Sequence, residues 1–318
     1  MRMVWLIIGN ILTNAEKHAI LILSINFLKI KENEMKLTTK VNRKLRSTLM
    51  RNRYSMNGKE SKSNQINLEY WSDEVNVGDI LSNCVYRWML EQKQCDPDHH
   101  TDKTIHFLAI GSIIGMKPFD AVIWGSGIHT IESINSIYRN RKMVNYDIRA
   151  VRGPITKKVL ESSGYPCQKA VCGDPAILMP KIYTPACTEK KYPCSVIMHL
   201  NTPDKGNYGR SYHCISVNTK NHQQFIDEIV ASERIISSSL HGIILAETYG
   251  IPAVFLNENG LMNKEIMKYF DWYWSTGRDN VVIAHSIGEA KKIKQMPLPE
   301  LHAMQDRLMQ AFPYDLWK

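Results

Sequence analysis

Residues 234–256 read RIISSSLHGIILAETYGIPAVFL, and this stretch decides the fold. The apolar run Arg234–Ser237 has the length of a buried strand and breaks into serines. Leu240–Tyr249 is apolar over helical length. Ala253–Leu256 is a second apolar run of strand length. Strand, helix and strand in this order form a parallel unit. In parallel sheets ligands sit beyond the carboxyl ends of the strands. The turn Ser237-Ser238-Ser239-Leu240-His241-Gly242 is such an end. Its serines can cap the helix and bind an anion at the positive helix terminus, and His241 projects near the same point.

The alternation continues in both directions. Upstream, Ser195–Leu200 and Cys214–Val217 read as strands around a polar loop, 201–213, with Pro203, Gly206 and Gly209; His222–Ala231 reads as a helix. The Pro/Lys-rich stretch Pro180–Pro193 reads as a linker. Before it come strand Ile66–Trp71, helix Asp79–Gln92, strands Ile105–Ile110, Ala121–Trp124 and Ile148–Val151, and helix Thr156–Ser163. The chain closes with helix Glu300–Met309. The expected fold class is α/β, with two Rossmann-like domains facing a cleft. The expected boundaries are an extension over 1–65, a first domain over 66–180 and a second over 181–297. Residues 298–318 form a C-terminal helix packing back on the first domain.

The chain has 318 residues, enough for two such domains, and a formal net charge of +9. Thirteen Lys/Arg and four Asp/Glu fall in residues 1–65, leaving 27 of each in the rest. The excess therefore belongs to the N-terminal segment, and the body carries no nucleic-acid signature. Apolar runs at 4–12 and 19–28 are too short to span a bilayer. With the basic stretch Lys36–Lys62 they suggest peripheral contact with an anionic membrane from the cytoplasmic side. Seven cysteines, none in C-x-x-C spacing, read as reduced thiols, and no metal site is expected.

Three further turns follow strands. In Asn76-Val77-Gly78-Asp79, Gly78 permits close backbone approach, and Asp79 either caps the next helix or meets a ligand. In Trp124-Gly125-Ser126-Gly127-Ile128-His129, Gly125, Ser126 and Gly127 offer unhindered backbone amides for phosphate or sugar hydroxyls. The third glycine of a dinucleotide fingerprint is missing, so no nicotinamide site is read. In Arg149-Ala150-Val151-Arg152-Gly153-Pro154, an arginine beside a helix N-terminus makes an anion trap. Asp174, in Gly173-Asp174-Pro175-Ala176, either steers an arginine or forms an Asx-Pro turn.

These motifs, with Tyr70-Trp71 and Ala246-Glu247-x-x-Gly250-Ile251-Pro252, resemble in order and spacing the polysaccharide pyruvyl transferases over residues 66–278. Those enzymes place pyruvate ketals on bacterial exopolysaccharides and cell-wall polymers. The resemblance implies a fold similar to B-type glycosyltransferases. It implies phosphoenolpyruvate as donor, a sugar of a polysaccharide or lipid-linked oligosaccharide as acceptor, and no cofactor. Several members read Arg-Leu-His-Gly where this chain has Ser239 in the arginine's place, as the family's exopolysaccharide branch also does. Donor charge is then left to Arg152, Arg149 or Arg278.

Under this reading His241 is the general acid and Asp79 a base or sugar-hydroxyl acceptor. Arg152, Arg149, Ser237, Ser238, Ser239 and Gly242 hold the donor. Asn76, Gly78, Gly125, Ser126, Gly127 and His129 hold the acceptor. The donor's phosphate and carboxylate need several convergent donors, and an anion beside an imidazole favours its protonated form. A nucleotide-sugar glycosyltransferase and a noncatalytic carbohydrate-binding protein are the competing readings.

Overall fold

A computed structural model describes residues 52–202 and 212–318. The apolar runs at 4–12 and 19–28, the basic stretch up to residue 51 and most of the loop 201–213 lie outside the described residues. The described chain carries two parallel five-stranded sheets.

The first sheet contains β1 (Ile66–Glu69), β2 (Ile105–Leu108), β3 (Ala121–Trp124), β4 (Tyr146–Val151) and β5 (Val171–Cys172), in that spatial order. Three helices alternate with them: α1 (Val77–Glu91), α2 (Ile131–Asn140) and α3 (Pro154–Ser162). A 3-10 turn, Pro175–Leu178, and the short α4 (Met179–Ile182) lead out. The second sheet contains β6 (Ser195–Ile197), β7 (His213–Cys214), β8 (Ile235–Ser237), β9 (Ala253–Leu256) and β10 (Ile283–Ala284). Its helices are α5 (His222–Val230), α6 (Leu240–Thr248), α7 (Ile266–Ser275) and α8 (Ile287–Lys292); α9 (His302–Gln310) ends the chain.

All four β3 residues are buried, as expected of a strand covered on both faces. Along β8 and β9 the side chains alternate between two cores. Ile235, Ala253 and Phe255 join the layer of α5 and α6, while Ile236, Val254 and Leu256 join the layer of α8. The first of these layers also contains Phe107, Val122 and Trp124 of the first sheet. Among the described residues one apolar core therefore crosses the expected boundary at 180/181. α9 packs on the first sheet: Trp124 Nε1 donates to Leu308 O at 2.8 Å, and Phe312 meets the Trp124 ring edge-on at 4.9 Å.

The sheets differ in strand order. The first is strictly sequential and has no reversal, so it departs from the Rossmann order expected of it. The second runs β10-β9-β8-β6-β7, in which successive strands β7 and β8 lie on opposite sides of β6. That is the flavodoxin-like arrangement, with its topological switch point between β6 and β8.

The body also begins before residue 66. Met56 is 2% exposed, and its amide donates to Glu69 Oε2 at 2.6 Å. Asn52 exchanges two hydrogen bonds with Asp120, at 3.0 and 3.1 Å. Residues 52–65 read as extension because they are polar. Their polar groups satisfy buried partners on β1 and on the loop before β3. Among the described residues no helix is long and apolar enough to cross a membrane.

Candidate active site

Elements of both sheets bring their carboxyl ends to one junction, at the switch point of the second sheet. Asn76 caps α1, its side chain accepting from Gly78 N at 3.0 Å, and Val77 N reaches across to Val217 O at 2.9 Å. This seats the start of α1 against the second sheet. Gly78 then lies under His241: a Cβ there would stand 2.2 Å from the imidazole Nδ1. The far side of the ring faces Asp174, with His241 Nε2 3.7 Å from Asp174 Oδ2. Asp79, next along α1, feels the charges of His241, Lys268 and His129.

A second group stands beside the first. Glu265, at the entry to α7, takes an ion pair from His129 Nε2 at 3.2 Å, from His199 Nε2 at 3.6 Å, and from the Lys268 ammonium. Lys268 Nζ also approaches His199 Nε2 at 3.5 Å. His129 follows β3, His199 follows β6, and Glu265 with Lys268 follows β9. The junction thus combines three histidines, a buried lysine and three carboxylates from both sheets.

Burial pushes the Asp79 carboxyl up to about 6, although the positive charges of His241, Lys268 and His129 restrain the rise. Burial also presses on Glu265, but hydrogen bonds and charge from His129 and Lys268 prevail and hold it well below the usual carboxylate range. Lys268 is lowered by burial against the opposing pull of Glu265. A carboxyl poised near neutral pH beside an imidazole is suited to proton transfer.

The anion trap read at Arg152 exists, and the chain supplies its own anion. Arg152 is 1% exposed. Its guanidinium donates to Asp271 Oδ2 at 3.2 Å, Ser112 Oγ at 2.5 Å and Ile128 O at 3.0 Å. Asp271 Oδ1 accepts from the first amides of α3, Ile155 N at 2.9 Å and Thr156 N at 3.0 Å, while Oδ2 accepts from Thr156 Oγ1 at 2.6 Å. Helix terminus and guanidinium converge on one carboxylate, as the sequence suggests, but that carboxylate comes from α7. Arg152→Ala strands Asp271 in the interior and is expected to cost about 3–5 kcal/mol of stability. Denaturant unfolding checks this, and Arg152 and Asp271 single and double variants should be strongly non-additive.

The other two arginines are likewise engaged. Arg149 pairs with Asp147 and Asp315 at 2.7–3.0 Å, near the C-terminal residues. Arg278 makes a two-pronged pair with Glu247 at 2.6 and 2.8 Å, near the end of α6 rather than its start. Both arginines are held by carboxylates outside the histidine cluster.

The glycine turn after β3 also packs internally. Gly125 has φ +99°, and a Cβ there would meet Pro175 at 2.2 Å. A Cβ on Gly127 would strike the Arg152 guanidinium at 2.2 Å. Gly125 N donates to Ala150 O, Gly127 N to Gly111 O, and Ser126 Oγ to Gly111 O. Only His129 of that turn joins the charged cluster. The serines knit β6 to β8. Ser237 Oγ donates to Ile197 O at 3.0 Å, Ser238 Oγ accepts from His199 N at 2.8 Å, and Ser239 Oγ caps α6 by accepting from Gly242 N at 3.4 Å. Gly242 has no room for a side chain, since a Cβ would stand 2.6 Å from Ser237 Oγ.

The motifs do not reveal His199, Glu265 or Lys268. His199 lies just beyond an apolar strand, the position that singles out His241, but the strand as read extends through it. Lys268 and Asp271 lie on α7, whose residues 268–273 are all buried. Polar residues on a helix read as its solvent face, whereas here they are buried together with their apolar neighbours.

Comparison with known proteins places these features in context. A family model described as polysaccharide pyruvyl transferase matches residues 97–260, just over half of the chain. Uncharacterized protein L143 of Acanthamoeba polyphaga mimivirus is 23% identical over 223 residues, covering 67% of this chain and 75% of its own. The solved structure of a functionally uncharacterized protein, KP1_0663 from Klebsiella pneumoniae subsp. pneumoniae NTUH-K2044, overlaps 79% of this chain and 100% of its own. Its sequence identity is 12% and its TM-score 0.47.

Proposed function

This chain belongs to the polysaccharide pyruvyl transferase family, and on that premise we propose that it transfers pyruvate from phosphoenolpyruvate to two hydroxyls of a polysaccharide or lipid-linked sugar. The observation that carries the reading is the meeting of His241 and Asp79 at the sheet junction, with the Asp79 carboxyl pushed up to about 6. The reaction needs one acid and one base within a single site. His241 delivers a proton to the donor's methylene carbon. Positive charge develops at the neighbouring carbon, where the first sugar hydroxyl adds. Phosphate departs with its bonding pair, and the second hydroxyl closes the ring. Both hydroxyls lose their protons: Asp79 accepts one, and the other returns to the departing phosphate or the histidine. Lys268, His129 and His199 supply positive charge beside the donor's anions, the part assigned from sequence to the arginines. The two facing sheets are read as similar to those of B-type glycosyltransferases. Phosphoenolpyruvate is a cytoplasmic metabolite, so the reaction is assigned to the cytoplasmic side. The basic segment that precedes this body, residues 1–51, is assigned to contact with an anionic membrane.

Isothermal titration with phosphoenolpyruvate and with nucleotide sugars tests the reading. Saturable phosphoenolpyruvate binding, with none for nucleotide sugars, is the expected outcome. The reverse pattern makes this chain a glycosyltransferase, and binding of neither makes it noncatalytic.

A further inference from the structure

Asp174 is fixed by one of its oxygens. Its Oδ1 accepts from Ala176 N at 3.0 Å, capping the 3-10 turn Pro175–Leu178. The carboxylate is thus rigidly aimed, and its side chain is 1% exposed. The second oxygen, Oδ2, is buried and has no hydrogen-bond partner among the described residues. The same is true of His241 Nε2. These two orphaned atoms face each other at 3.7 Å. Gly78 packs against the ring beside Nδ1, where only a residue without a side chain fits.

A buried carboxylate oxygen without a donor carries a desolvation penalty. An approach of about 1 Å by a protonated Nε2 would satisfy both atoms. The charged groups facing His241 are Asp174, from the turn after β5, and Asp79 of α1; Lys268 and His129 face Asp79. Of these, Asp174 is the carboxylate whose free oxygen is aimed at Nε2.

We propose that Asp174 is the positioning residue for His241: it holds the proton on Nε2 and leaves Nδ1, on the Gly78 side, to carry the proton that is transferred. This rests on the acid role assigned to His241 above. A carboxylate behind a working imidazole sets its tautomer and stabilises its charged form without touching substrate.

Asp174→Asn tests it. The asparagine oxygen keeps the cap on Ala176 N, but its amide now points donors at Nε2, imposes the other tautomer and removes the charge. Turnover with phosphoenolpyruvate is expected to fall by roughly 10²-fold or more, with the donor KM nearly unchanged. The alkaline limb of the kcat profile should move to lower pH by about one unit, and Asp174→Glu should restore part of the shift. The ring titration of His241, followed by NMR without donor and identified by its loss in His241→Gln, should fall by a similar amount. An unchanged ring titration in Asp174→Asn overturns the pairing. A shifted titration with wild-type turnover and pH profile overturns the positioning role. Loss of the pyruvyl-transfer reading itself would appear separately, as a wild-type protein inactive on phosphoenolpyruvate, and the ring titration would still decide the pairing.

Discussion

His241→Gln is expected to lower turnover by roughly 10²–10⁴-fold while the protein stays folded and still binds phosphoenolpyruvate. Glutamine preserves much of the side chain's size and a hydrogen-bond donor, but it cannot give up a proton at neutral pH. The ring lies between Gly78 and Asp174, so His241→Ala adds a void to the chemical loss. If the histidine were merely structural, glutamine would rescue both stability and activity. Turnover in the wild-type protein should also fall on the alkaline side, as the imidazolium is lost. A well-folded, active His241→Gln protein removes the acid role.

Asp79→Asn is expected to separate activity from stability. The folded carboxyl is raised from its ordinary value of 3.8 to about 6, chiefly by burial. A group that binds its proton more tightly when folded contributes most stability at low pH. That contribution is lost as pH rises from about 4 through about 6. Above that range the ionised carboxylate is a standing cost, about 3 kcal/mol. Asparagine removes it. The variant should therefore melt a few degrees higher than wild type at pH 8, with no advantage near pH 4. Its turnover should drop by about 10²-fold or more, and the acid limb near pH 6 should vanish from the rate profile. Thermal melts at the two pH values and a rate–pH profile check both halves. A variant that is no more stable at pH 8, or that keeps the acid limb, contradicts the assignment.

The β8–α6–β9 unit was legible because its apolar runs are punctuated by Ser237–Ser239, Gly250 and Pro252. The observed elements, Ile235–Ser237, Leu240–Thr248 and Ala253–Leu256, differ from the reading by a residue at most. Less visible was which polar group answers which. The Arg152 trap follows from local sequence, but its occupant, Asp271, is 119 residues away on a helix that buries its polar residues along with its apolar ones. The glycines of Trp124-Gly125-Ser126-Gly127 read equally well as a ligand cradle or as packing space. Pro175 and Arg152 fill that space. Ser237 and Ser238 look like anion ligands in one dimension. In three dimensions they bond the backbone of β6 and its following residue. Patterns of spacing report backbone shape well, whereas long-range pairing of buried charges leaves no local period.

The central claim is that this junction protonates phosphoenolpyruvate and closes a ketal on a sugar. It is tested most directly by running the reaction in deuterated water with a panel of hexosides offering free 4,6 or 3,4 hydroxyl pairs. The expected result is one phosphate released per product and a pyruvate ketal whose methyl group carries a single deuterium. No ketal with any acceptor, together with glycosyl transfer from a nucleotide sugar, would contradict it.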